Sequence, residues 1–196
     1  MDERGVSVDH SSIIRWPVRF LLHIKRMARK HMRSGGGGWH MDETYIKIKG
    51  VWKHLYRAAD KQGMAVDFLL TAKRGITAAK RFFNKAMDSN GDPDNLTMDE
   101  SGANKAAIDA INARRCVPVT VRQVKYLNYI VEQDHRAIKR VTKPMLAFKS
   151  FHSASCVLAG IELMRVIRKR QFAIDRADII SFADQFLALA GKVRPV

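Results

Sequence analysis

A chain of 196 residues, 46% hydrophobic and 28% charged, is an ordinary globular composition with length for one substantial core and a small appendage. Lys and Arg outnumber Asp and Glu by 35 to 19, so a formal net charge of +16 makes nucleic acid the first partner to consider. A solvated basic surface or loose adhesion to a membrane are the bland alternatives, and no apolar run approaches the roughly 18 residues of a membrane span.

The start, MDERGVSVDH, is polar and acidic where a signal peptide is basic and then apolar, so the protein is expected in the cytoplasm. From Arg15 to Arg33 the chain carries bases and no acids, with Phe20, Leu21, Ile24 and Met27 at helical spacing. This predicts a basic helical arm, with Arg15 a candidate DNA contact. Ser34 to Gly38 lacks the Gly-Lys-Ser/Thr ending of a phosphate loop and reads as a flexible linker.

WHMDETYIKIKG and VWKHLYRAAD, joined by a Lys-Gly turn, predict a hairpin, and MAVDFLLTAK a third strand after the Asp60–Gly63 turn. ITAAKRFFNKAMDSNG has helical spacing and a Gly91 stop. NLTMDE reads as a short buried strand, NKAAIDAINARR as a helix capped by Asn104, and VPVTVRQVKY as another strand. Helices follow from Tyr129 to Val141 and from about Ser153 to Arg170, and the tail predicts an amphipathic helix through Ile179, Ile180, Phe182, Phe186 and Leu189. The expected class is α/β, in the strand and helix order of a ribonuclease H-like mixed sheet flanked by helices. Cys116 and Cys156 stand apart from each other and are expected to be reduced packing residues.

Asp42 falls inside the first strand, Asp99 ends a short apolar one, and Glu132 begins a helix. A carboxylate in half-buried pleated structure needs a partner, and a hard divalent cation is one. If the three converge at one sheet edge, they suit a pair of Mg²⁺ or Mn²⁺ ions about 4 Å apart cleaving a phosphodiester. Turn capping or surface pairing is the alternative for any three of 19 acids. Glu132, His135, Arg136, Lys139 and Lys143 recur at helical spacing, and Lys125 just precedes them. That stripe is a candidate phosphate contact, and pairing of Glu132 with Arg136 within the helix is its alternative. Glu132 and His135 also form Glu-x-x-His, but a di-iron bundle needs a second such pair, and Glu162 is followed three residues later by Arg165.

Three blocks, WHMDETYIKIKGVWKHLYRAADKQG, LTMDESGANKAAI and VRQVKYLNYIVEQDHRAIKRVTKPMLAFKSF, closely resemble the transposases of insertion sequence family six, over about Glu3 to Gln171. The resemblance places that family's Asp-Asp-Glu triad at Asp42, Asp99 and Glu132. It implies a metal-dependent catalytic domain that cuts at the ends of a mobile element and joins the 3′-hydroxyl to target DNA. It also implies a bacterial, nucleoid-associated homo-oligomer acting on double-stranded DNA, without a membrane partner.

Departures set further expectations. ERGVSVDHSSIIRW resembles the closing turn and recognition helix of the family's helix-turn-helix, with Ser7 as cap, but the helices that precede it there are missing, so a truncated reading frame with impaired end recognition is expected. Pro17 should break or kink that helix. Glu100 and Tyr129 stand where a basic residue and an asparagine are expected; Glu100 is expected to weaken phosphate approach or alter metal affinity, and Tyr129 to disturb the docking of Glu132. The expected division is a remnant and arm (1–33), a linker (34–38), a catalytic domain (39–171) and a helical tail (172–196). A non-enzymatic DNA-binding remnant and a nuclease that hydrolyses without joining are the competing functions.

Overall fold

The computed structural model describes residues 9–124, 129–172, 181 and 184–185. Its elements are α1 (His10–Arg29), β1 (Gly38–Ile48), β2 (Val51–Asp60), β3 (Ala65–Thr71), α2 (Ile76–Asn90), β4 (Asn95–Met98), α3 (Gly102–Asn112), β5 (Thr120–Gln123), α4 (Tyr129–Thr142), a 3₁₀ turn (Lys143–Met145) and α5 (Phe151–Arg168). The five strands form one sheet in the order β3-β2-β1-β4-β5. The first three are antiparallel, while β4 and β5 run parallel to β1. This is the ribonuclease H-like order anticipated from the sequence.

Contacts divide the chain into two compact units, one from Ser34 to Phe148 and one that contains α1 and α5. In the first, Lys49 and Gly50 turn β1 into β2 with φ of 49° and 79°, the left-handed pair that a two-residue hairpin matched to strand twist requires. Ile48 then pairs with Val51 and the register runs to Trp39 opposite Asp60. The next turn is closed by the Asp60 carboxylate, which accepts the N–H groups of Gln62 at 3.0 Å and Met64 at 2.8 Å.

Trp39, Met41, Tyr56 and Val66 from one sheet face meet Phe82 and Phe83 of α2 and Ile108 of α3 to make the core. The alternate β1 residues, Asp42 among them, therefore face the other side. The glycine run is held where a flexible linker was expected. Gly36 donates to Asp60 at 3.2 Å, the Gly37 carbonyl accepts from Asn95 at 3.0 Å, and Gly38 already belongs to β1.

In the second unit α1 runs uninterrupted from His10 to Arg29, so Pro17 does not end it. One lost backbone bond is offset by packing along α5, where a side chain at Gly160 would crowd Leu21 at 3.0 Å. Asp9 caps α1 by accepting the Ser11 N–H at 3.2 Å; the expected cap Ser7 lies outside the described residues. α5 starts at Phe151 because Ser150 and Ser153 form a reciprocal capping box. Cys156 is a buried thiol whose pKa burial raises, whereas Cys116 is exposed rather than the packing residue expected. The apolar positions of the predicted tail helix lie outside the described residues.

Candidate active site

The parallel pairing of β1 with β4 runs from Gly38↔Asn95 to Met41↔Met98 and stops there. Asp42 and Asp99 are the next residue on each strand, so both positions lie where the ladder ends. Strands in a ladder lie about 5 Å apart, which leaves room for a cation between two such groups. Asp42 is held at both oxygens: Oδ1 accepts the Glu43 N–H at 2.7 Å, and Oδ2 lies 3.3 Å from His135 Nδ1. Its side chain remains 20% exposed. Asp99 Oδ1 is 3.5 Å from Nδ2 of Asn104. Asn104 is thus a fully buried neighbour of Asp99 rather than the cap of α3, a place that Ser101 takes because the helix begins at Gly102.

α4 has two faces. Val131, Asp134, His135 and Ile138 are buried, while Glu132, Arg136 and Lys139 are exposed, with Lys143 exposed in the 3₁₀ turn that follows. His135 therefore departs from the solvated basic stripe expected of it. The stripe is narrower than its spacing suggested, because residues three or four apart still diverge around the helix. Among the described residues no ion pair joins Glu132 to Arg136. Glu132 precedes His135 by three residues, about 4.5 Å of helical rise, on the exposed side of α4, and His135 on the buried side touches Asp42. Among the described residues no three His, Cys, Asp or Glu side chains form a cluster that could hold a metal ion.

Beneath α4, Arg57 Nε donates to Asp134 Oδ2 at 3.1 Å, with side chains 2% and 4% exposed. Arg57 lies directly across the ladder from Asp42, so this pair anchors α4 at the level of the carboxylates. Sequence reasoning missed both residues, although the signal was present: a base inside an apolar strand, and an acid between Val131 and Ile138 on the apolar face of a helix. Lys125 lies outside the described residues. Arg15 is exposed on α1, Glu100 is exposed, and Tyr129 is exposed too, so it fills no space that α4 needs for docking.

The opposite face of β1 carries a different acid. Glu43 is 4% exposed and meets His54 Nδ1 at 2.6 Å and Arg74 Nε at 3.1 Å. Burial, and then the charge of Glu43, raises the pKa of the nearby Tyr56 phenol.

The chain has known relatives. Residues 36–171 match the family model of a DDE domain of IS240-type transposases. The transposase for the insertion sequence-like element IS431mec of Staphylococcus aureus is 35% identical over 170 residues, covering 86% of this chain and 74% of that protein. The transposase for IS257 in transposon Tn4003, also from Staphylococcus aureus, is 35% identical over 169 residues, with 85% and 74% covered. Among solved structures, the HTLV-2 integrase catalytic core domain in complex with magnesium, in its dimeric form, aligns with a TM-score of 0.47 at 18% identity, over 76% of this chain and 93% of that one.

Proposed function

Because the chain belongs to the DDE-domain transposases of insertion sequence family six, enzymes of DNA transposition, we propose that Asp42, Asp99 and Glu132 are its catalytic acids and metal ligands. The observation that carries this reading is the position of Asp42 and Asp99 at the end of their shared ladder, with α4 seated on Asp42 through His135. Neither carboxylate has a Lys or Arg paired to it among the described residues, and hard oxygen donors of this kind suit Mg²⁺ or Mn²⁺. Asp42 would serve both of two ions, and Asp99 and Glu132 one each. Such ions, when bound, supply activation of the attacking oxygen and stabilisation of the leaving one.

The chain's own residues orient this set. The Glu43 N–H and His135 hold Asp42, Asn104 steadies Asp99, and the buried Arg57–Asp134 pair keeps α4, and with it Glu132, at the sheet end. Arg136, Lys139 and Lys143 on the exposed side of α4, with Lys125 and Arg15, neutralise backbone phosphates of the element ends and of target DNA. His135 is a positioning residue in this scheme. The protein works as a homo-oligomer on DNA, in the cytoplasm at the nucleoid; among the described residues no helix is long and apolar enough to cross a membrane.

The experiment is incubation of the purified chain with a pre-cut element end, target DNA and Mg²⁺ or Mn²⁺. Joined products are expected. Shortened strands alone would point to a nuclease, and unchanged DNA to a binding remnant. Asp42→Asn should keep DNA binding and lose cleavage by roughly a thousandfold, the scale of several kcal/mol of lost charge stabilisation. Cleavage retained by that variant rejects the assignment.

A further inference from the structure

The two elements that carry Asp42 and Glu132 also lead away from them into a cleft that has no part in the carboxylate site. Its volume is about 600 Å³, within the range of small-ligand sites, and its walls include Tyr45, Lys47, Trp52, Lys139, Lys143 and Leu146. Three of these expose large apolar surface: Trp52 at 60%, Tyr45 at 46% and Leu146 at 87%. Contiguous exposed apolar surface marks a place where something else binds. Leu146 is moreover held at a left-handed φ of 59°, which a leucine adopts only under constraint.

Charge narrows the occupant. Among the described residues that line the cleft none is acidic, three are lysines, and Lys47 Nζ already sits 5.7 Å from the Trp52 ring centre. Aromatic faces beside ammonium groups, on a chain of net charge +16, suit a base attached to phosphates better than an apolar peptide. Position narrows it again. Tyr45 follows Asp42 by three strand residues, about 10 Å, on the opposite face of β1, so it is reached round the edge of β1 that β4 leaves unpaired beyond Met41; Lys139 follows Glu132 by seven helical residues, also about 10 Å. Both paths reach the cleft at a distance of about three base steps along one DNA strand.

We propose that this cleft receives one unstacked base of the DNA strand lying across the carboxylates, with Trp52 and Tyr45 against the base and Lys139 and Lys143 on the neighbouring phosphates. Its placement near the cut rests on the reading of Asp42, Asp99 and Glu132 as the catalytic acids; the binding itself does not. Stacking is tolerant of sequence, because every base has a π-face, and it favours strands already unpaired.

The test measures equilibrium binding of the full chain, without divalent metal, to a blunt duplex and to the same duplex with a short single-stranded 3′ extension containing 2-aminopurine. Wild type should prefer the extended duplex and quench the probe. Trp52→Ala should lose about tenfold in affinity for the extended duplex, with little change for the blunt one, and should abolish quenching. Trp52→Phe should restore most of both, and unchanged thermal melting of the variants excludes a folding defect. Equal loss on both duplexes, or no loss on either, overturns the proposal. So does a Trp52→Ala chain whose sedimentation shows lost self-association while DNA affinity is unchanged, which would assign the cleft to a second copy. Should Asp42→Asn still cleave while the Trp52-dependent preference persists, the catalytic assignment falls and the cleft stands. The reverse pattern removes only the cleft.

Discussion

Asp42 and Glu43 are consecutive acids on β1, and strand alternation sends them to opposite faces of the sheet. Glu43 is almost wholly buried and lies against His54 and Arg74. Asp42 faces α4, keeps a fifth of its side chain exposed, and meets one backbone N–H and one imidazole. The acid held by His54 and Arg74 braces the sheet, and the acid with no Lys or Arg beside it among the described residues is the one proposed to hold a metal. Local sequence makes the two look equivalent, and only their surroundings separate them.

The contrast can be broken most forcefully at Asp134. Asp134→Ala leaves the Arg57 guanidinium buried without this carboxylate and should cost about 3–5 kcal/mol in urea unfolding. It should also lower cleavage, since α4 would lose its anchor at the level of Asp42. An unfolding midpoint within error of wild type would show that α4 is held by other contacts. Glu43→Gln tests the bracing face. A loss of about 1–2 kcal/mol is expected, less than for a fully buried pair because Arg74 is 44% exposed and solvent screens it. Its cleavage should persist, in contrast to Asp42→Asn, because the backbone N–H of residue 43 still donates to Asp42. If Glu43→Gln abolished cleavage at undiminished stability, the division of labour between the faces would be wrong.

Tyr56 gives the smallest and most selective effect. Burial, and then Glu43, raises its pKa above the ordinary 10.0. Above about pH 10 the unfolded chain releases this proton while the folded chain retains it, so stability should fall as pH rises through that range. Below it the phenol is protonated in both states and adds no pH dependence. Tyr56→Phe should remove that share of the alkaline decline when unfolding is followed from pH 8 to 11, and parallel curves for the two proteins would place the cause elsewhere.

Much of the fold was legible in the sequence because its signals are local. Lys49-Gly50 specifies a tight hairpin, Gly91 stops α2, and alternation in WHMDETYIKI marks a strand with one buried face. The readings that failed needed knowledge of neighbours. Pro17 was expected to interrupt α1 by its own chemistry, and packing along α5 outweighs it. Asn104 has the composition of a cap, yet the chain enters α3 two residues earlier and leaves Asn104 inside, beside Asp99. His135 shares a spacing with Arg136 and Lys139 but is turned into the buried side, a matter of tens of degrees around the helix.

The sequence by itself determined the hairpin, the order of strands and helices and the strongly basic balance, since each is carried by residue type or short spacing, while the three acids were set apart by resemblance to a family. The tertiary structure decided that Asp42 and Asp99 share the end of one ladder, that Arg57 and Asp134 anchor α4 beside them, and that Trp52 and Leu146 frame a cleft with three lysines. The physical reason is range. A turn or a helix period is settled by a few adjacent residues, whereas the charge balance at a carboxylate depends on side chains dozens of positions away, which meet only after the sheet has formed.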